Sequence, residues 1–140
     1  MKRIYEILDE CKLQETVDGI LTILGNNDTP ALRSILQYTY DPYFQWTVSE
    51  FPTEYKRPDT LPGISQTNMY TELRRIYLFQ KGHPVADKIE PEKRNKLLMQ
   101  LLEGMEFDDA QVFINILKKD LGIDGLDKDS INRLYPGLIN

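Results

Sequence analysis

Apolar side chains recur every three or four residues along most of this chain, and this period constrains its fold class. Ile4, Ile7 and Leu8 show it first, and the spacing returns in the later segments. A period near 3.6 residues is that of an α-helix with one buried face. We therefore predict an all-α fold of six to seven helices, folded as a single compact domain over residues 1–140.

Glycine, proline and capping residues mark where these helices begin and end. Thr29 precedes Pro30, which is typical of a helix start because threonine caps the first turn and proline fits inside it. Three prolines and a glycine predict a long irregular loop over residues 49–66. The predicted helices cover, approximately, residues 2–11, 15–24, 30–40, 68–80, 91–104, 108–121 and 128–134.

The charge of the chain is acidic overall but unevenly distributed. It carries 17 basic and 22 acidic residues, a net charge of −5, which argues against strong non-specific DNA binding. Residues 69–100 nevertheless hold seven basic residues against four acidic ones. The seven are Arg74, Arg75, Lys81, Lys88, Lys93, Arg94 and Lys96. They predict either one electropositive patch or solvated helix faces with local ion pairs.

The sequence contains one cysteine and one histidine, the side chains that most often bind zinc or assist nucleophilic catalysis. The one cysteine, Cys11, continues a helical apolar stripe, which favours a buried small side chain over a nucleophile. The one histidine, His83, lies in a Gly-His-Pro turn without an acidic neighbour. No phosphate-binding loop or nucleophile elbow occurs. We therefore expect no metal and no cofactor.

Aromatic residues crowd the stretch after the third predicted helix. They are Tyr38, Tyr40, Tyr43, Phe44 and Trp46. Such a cluster can stack on bases, but packing in or near a core is the more common role of these side chains. We therefore favour packing as the role of this cluster and keep base stacking as the alternative.

The end of the chain combines a glycine turn, a short helix and a Pro-Gly stop. It reads Lys-Lys-Asp-Leu-Gly over 118–122 and Asn-Arg-Leu-Tyr-Pro-Gly-Leu-Ile over 132–139. Glycines at such a turn allow close backbone approach, and amides at a helix start can bind a phosphate. Three aspartates in the same stretch would repel one. A helical hairpin that closes the core is therefore an equal alternative.

Two segments carry a resemblance to a known family. Residues 31–43 read Ala-Leu-Arg-Ser-Ile-Leu-Gln-Tyr-Thr-Tyr-Asp-Pro-Tyr. This segment and residues 116–139 resemble the N-terminal DNA-binding domain of ATP-dependent DNA ligases from T-even-type phages. The phrases Leu-Arg-Arg-Ile-Tyr-Leu-Phe and Tyr-Pro-Gly-Leu-Ile are similar to those of small proteins from tailed phages, including marine cyanophages.

The resemblance implies a module that lies against duplex DNA. On that basis Gly122, Gly125, Ser130 and Asn132 would lie near a strand. A catalytic domain follows the Pro-Gly-Leu-Ile close in the ligases, whereas this chain stops at Asn140, so we expect a stand-alone module. The ligase nucleophile, the lysine of Lys-x-Asp-Gly, is replaced by glycine in Gly-Ile-Asp-Gly over 122–125, which predicts a protein that is not an enzyme.

Two functional hypotheses follow. The first is a non-catalytic module that binds duplex DNA weakly, or regulates phage replication or repair, in the cytoplasm of the infected bacterial host. The second is a protein–protein interaction module for a phage or host protein, with the ligase-like shape as ancestry only; a virion component is a third option. The DNA-binding candidates are Arg74, Arg75, Lys93, Arg94, Lys96, Gly122, Gly125, Ser130 and Asn132.

Overall fold

The computed structural model describes residues 2–51 and 68–139, and over this part of the chain it is all-helical. Seven α-helices and two short 3₁₀ helices occur there, which confirms the predicted all-α fold. The α-helices are α1 (Ile4–Lys12), α2 (Val17–Asn26), α3 (Pro30–Tyr40), α4 (Met69–Leu73), α5 (Pro91–Gly104), α6 (Phe107–Leu117) and α7 (Lys128–Leu134). The predicted loop lies outside the described residues from 52 onward.

The chain groups into two compact units. Unit 1 comprises Met1–Phe44 and Lys118–Asn140, and unit 2 comprises Gln45–Leu117. The prediction of a single domain over 1–140 stays a prediction.

In unit 1, α2 packs against both α1 and α7. Each helix places its periodic apolar residues inward, as their spacing predicts. Fully buried members of this set are Ile20, Leu24, Leu32, Ile35, Leu36 and Ile131. At the start of α3 the side chain of Thr29 accepts a hydrogen bond from the Leu32 amide at 3.1 Å, and Pro30 occupies the first turn. The predicted start of this helix is therefore confirmed.

One lysine ties the two parts of unit 1 together. The Nζ atom of Lys119 donates to the carbonyl oxygens of Tyr38, Asp41 and Phe44 at 3.0, 2.7 and 2.7 Å. These carbonyls lie in the last turn of α3 and the turn that follows it, where a helix leaves its carbonyls without partners. Burial lowers the pKa of the Lys119 ammonium, and the nearby Asp41 carboxylate opposes that shift. The side chain thus caps α3 from a distant part of the sequence.

The same lysine explains why the predicted helix over 108–121 is wrong at its end. The helix stops at Leu117, and Lys119 adopts a φ of +64°, the left-handed conformation that breaks a right-handed helix. Such a conformation is uncommon for a residue with a side chain and needs support from its surroundings. The three carbonyl acceptors of its ammonium provide that support.

Unit 2 is built around α6, against which α4 and α5 both pack. The ring of Phe79 meets that of Phe113 edge to face, with centroids 6.2 Å apart, and both residues are fully buried. Two backbone hydrogen bonds of 2.7 Å, from Thr47 to Phe79 and from Lys81 to Gln45, hold the two strand-like stretches of this unit together.

The single helix predicted over residues 68–80 is also wrong. The α-helix ends at Leu73, and after a short turn the chain continues as a 3₁₀ helix over Ile76–Phe79. Leu73, Ile76 and Phe79 are all buried and stand three residues apart. A 3₁₀ helix has three residues per turn and aligns such positions on one face, whereas an α-helix would rotate them apart.

Within residues 2–51 and 68–139, no helix combines the length and the apolar character needed to cross a membrane.

Cys11 is fully buried, and burial raises the pKa of its thiol to about 11. The thiolate is the reactive form, so we predict that Ellman's reagent does not modify the native protein at pH 8 and modifies one thiol per chain after unfolding in guanidinium. Rapid labelling of the native protein would contradict the buried position of this helix face.

We predict that Lys119→Met lowers the free energy of unfolding by roughly 2–4 kcal/mol, because three partly buried carbonyls lose a charged donor. Methionine keeps the length of the side chain. Lys128→Met, at an exposed lysine of α7, is the matched control and should change stability little. Urea unfolding followed by circular dichroism measures both, and equal stabilities of the two variants would refute the capping role.

Candidate nucleic-acid interface

Three exposed cations of unit 2 lie on α5 or directly after α4. Lys93 and Lys96 lie on the outer side of α5, opposite its buried leucines. Arg74 follows the last residue of α4 and is exposed as well. These three side chains keep their ammonium or guanidinium groups at the surface, where phosphates could reach them.

The other two predicted arginines are engaged within the protein. Arg94 is half-buried, and its Nη2 donates to the carbonyl oxygens of Ala86 and Ile89 at 3.2 and 3.0 Å. Arg75 lies 3.3 Å from the carboxylate of Glu72, which is only 1% exposed. The local ion pairing that the sequence left open therefore occurs at Arg75. Both arginines therefore stabilise the fold of unit 2 through these contacts, and both also add positive charge to it.

Part of the basic surface borders an open cleft. Lys88 and Lys93 line it together, with Glu90 as the one acidic side chain among the described lining residues. Its volume is about 510 Å³, and Pro84, Val85 and Ile89 complete it. The structure thus brings these two lysines to one concavity.

Two exposed tyrosines of this region were not predicted as site residues. Tyr70 is 49% exposed and Tyr77 is 39% exposed. The ring of His83 lies against that of Tyr77, with centroids 5.0 Å apart. Each tyrosine comes one residue after a buried position, Met69 or Ile76, and that offset is the signal that would have identified them.

In unit 1, one amide of the glycine turn and one in the first turn of α7 have carboxylate acceptors within the chain. The Gly122 amide donates to the Asp120 carboxylate at 2.8 Å. The Ser130 amide donates to the Asp127 carboxylate at 2.8 Å, and the Asp127 amide donates back to the Ser130 hydroxyl. These bonds from Ser130 lower the pKa of the Asp127 carboxyl. Aspartates of the chain thus accept hydrogen bonds from two of the amides, Gly122 and Ser130, that the sequence offered to a phosphate.

The glycines of this turn are required by its shape. Gly122 and Gly125 have φ angles of +75° and +87°, which favour glycine. A Cβ atom on Gly125 would also lie 3.0 Å from the Cγ2 atom of Val17. The turn therefore packs closely on α2.

The Pro-Gly stop has an equally local explanation. Leu138 donates its amide to the Tyr135 carbonyl at 3.0 Å, and Gly137 has a φ of +80°. Proline followed by a left-handed glycine is the sequence of a type II turn. Asn132 fixes the segment with two 2.9 Å hydrogen bonds to the backbone of Ile139. The Asn132 side chain thus serves the fold of unit 1.

A cluster of three side chains joins this turn to α3. The guanidinium of Arg33 donates two hydrogen bonds to the Asp28 carboxylate, at 2.8 and 2.7 Å, and lies 4.4 Å from the centre of the Tyr135 ring. The bonds from Arg33 lower the pKa of Asp28. Burial raises the pKa of Tyr135 to about 12, and its hydroxyl lies 3.2 Å from Asp28.

The predicted aromatic cluster is partly packed. In unit 1 the Phe44 ring meets those of Tyr38 and Tyr43 edge to face, at 4.8 and 5.1 Å between centroids. Tyr43 is nevertheless 73% exposed. Burial raises the pKa of Tyr40 to about 12. Most aromatic side chains of the cluster that lie in unit 1 are therefore packed against the protein.

No group of three histidine, cysteine, aspartate or glutamate side chains in the described part of the chain is arranged to hold a metal ion.

Comparisons with known proteins support the fold. Residues 7–123 match a family of unknown function (DUF6433). No curated protein matches the chain. Two solved ligase-related structures are similar, "Pmar-Lig_Pre." with a TM-score of 0.76 at 14% identity and "Pmar-Lig_PreS3" with 0.68 at 12%. They cover 96% and 99% of this chain, which spans 30% and 31% of theirs. At this identity the likeness shows a ligase-like fold.

We predict that Asp28→Asn destabilises the protein at neutral pH. Folding lowers the pKa of the Asp28 carboxyl below its unfolded value of about 3.8. The carboxylate therefore stabilises the native state fully at pH values above the unfolded pKa, and this stabilisation is lost as the pH falls through the folded pKa. The difference in melting temperature between the two proteins should therefore shrink on acidification. Asp124→Asn, at an exposed carboxylate, is the control. A difference that stays constant from pH 7 to pH 3 would contradict the assignment.

Proposed function

Since the chain belongs to a family of unknown function (DUF6433), we propose its role from its own surface: a non-catalytic module that binds duplex DNA weakly. The observation that carries this proposal is the set of exposed cations Arg74, Lys93 and Lys96 on a ligase-like fold. Lysine and arginine side chains bind phosphates with release of counterions, so a few of them give weak, salt-dependent affinity.

The position of these cations supports unit 2 as the contact surface. Residues 69–100 carry seven basic against four acidic residues, a local charge of +3, in a chain of net charge −5. The glycine turn of unit 1 is the weaker part of the proposal, because Asp120 and Asp127 already accept from its amides. Gly122, Gly125, Ser130 and Asn132 would then act by shaping unit 1.

The proposal includes no enzymatic step. The ligase motif Lys-x-Asp-Gly has glycine at the lysine position in this sequence, so the nucleophile for nucleotidyl transfer is missing there. We place the module in replication or repair of a tailed phage, in the cytoplasm of the infected host, on the sequence phrases shared with T-even-type phage proteins.

A second candidate function is binding to another protein. Leu13 is 81% exposed and Tyr43 is 73% exposed, and aromatic side chains such as tyrosine are enriched in protein interfaces. Residues 101–140 add an acidic stretch with eight acidic against four basic residues, which suits a basic protein surface better than DNA.

Fluorescence anisotropy with a labelled nicked duplex tests the first function. We predict saturable binding at low salt that weakens steeply toward physiological salt. The variant Arg74→Gln/Lys93→Gln/Lys96→Gln should bind more weakly. Its salt dependence should be shallower by about one unit of log–log slope for each phosphate that the variant no longer binds.

A matched control removes three exposed lysines from unit 1. The variant Lys12→Gln/Lys118→Gln/Lys128→Gln has the same net charge and should bind DNA nearly as the unchanged protein does. Equal weakening in both variants would show an effect of net charge alone and contradict a site on unit 2. No binding at low salt would refute the DNA function, and the exposed Leu13 and Tyr43 would become the surface to test.

A further inference from the structure

One face of α4 and the 3₁₀ helix after it combines exposed aromatic rings with cations. Met69, Leu73 and Ile76 point into unit 2 and are all less than 9% exposed. The residues that follow each of them, Tyr70, Arg74 and Tyr77, are exposed. Because Tyr70 and Arg74 are four residues apart and Arg74 and Tyr77 are three apart, they share one side of the helical segment.

The exposed charges of this face are mainly positive. Arg74 and Arg75 lie between the two tyrosines, and Lys81 follows the second one. Glu72 is buried and paired with Arg75, so it adds little negative charge at the surface. The exposed carboxylate of this stretch is Asp87, which accepts a hydrogen bond from the Gly82 amide. An anionic ligand therefore fits this face better than a cationic one.

Tyr77 is held in place by its neighbours. The His83 ring lies against it, with an angle of 41° between the ring planes. The Nδ1 atom of His83 accepts a hydrogen bond from the Val85 amide at 3.2 Å, which fixes the imidazole in turn. An aromatic ring that is oriented in this way and still 39% exposed loses little conformational freedom when a ligand stacks on it.

From these observations we propose that this face binds unpaired nucleotides, with Tyr70 and Tyr77 stacking on bases and Arg74 and Lys81 contacting phosphates. Base faces are covered by their neighbours inside a duplex and become accessible in single strands and at unpaired ends, where aromatic side chains bind them. The inference deepens the proposed DNA function, on which it rests, by naming single-stranded nucleic acid as the preferred ligand of this face.

Anisotropy with a labelled oligothymidylate and a duplex of equal length tests the inference. We expect tighter binding to the single strand. Tyr70→Leu/Tyr77→Leu should weaken oligothymidylate binding by about tenfold or more, since base stacking contributes strongly to such affinity. Tyr70→Phe/Tyr77→Phe keeps the rings and should bind within about twofold of the unchanged protein. Both positions are exposed, and a melting curve for each variant checks that it is folded.

The outcomes separate this inference from the function on which it rests. Duplex binding that depends on Arg74, Lys93 and Lys96, with no preference for the single strand and no effect of the leucine variant, would overturn the inference and leave the DNA function intact. No binding to either nucleic acid would overturn both. Loss of oligothymidylate binding in the phenylalanine variant as well would show that the hydroxyls act and would overturn the stacking assignment.

Discussion

The contact between the Lys119 ammonium and the end of α3 holds together the two chain segments that form unit 1. The ammonium donates hydrogen bonds to three backbone carbonyls at and just after the end of α3. The backbone of Lys119 has a left-handed conformation at this point. Helix ends are local structures, but this one is completed by a residue 75 to 81 positions later in the sequence. The glycine turn and α7 follow directly, and both also pack on α2.

The residues of the terminal motif stabilise the fold of unit 1. Asn132 holds the backbone of Ile139, Tyr135 packs with Arg33 and Asp28, and Gly137 allows the turn between them. Each residue type is needed for the fold of unit 1. Similarity to ligases in this stretch therefore reports a shared fold, and function has to be sought in the exposed side chains.

The sequence predicted the parts of the fold that local chemistry decides. The start of α3 follows from Thr29 and Pro30, and α5 and α7 have the predicted bounds. The two wrong helices depended on distant contacts, the carbonyl acceptors of Lys119 and the packing of Ile76 and Phe79. The candidate site shows the same division: the positive charge of residues 69–100 was evident, whereas pairing and exposure depend on tertiary structure.

We propose that nucleic acid binds unit 2 at its exposed cations, and that the terminal motif stabilises the fold of unit 1. Backbone amide chemical shifts of the ¹⁵N-labelled protein, recorded during titration with a short oligonucleotide, test it most directly. We predict the largest changes at residues 69–96 and small ones at 118–139. Changes concentrated in the Gly122–Asn132 stretch, or none at any residue under low salt, would contradict it.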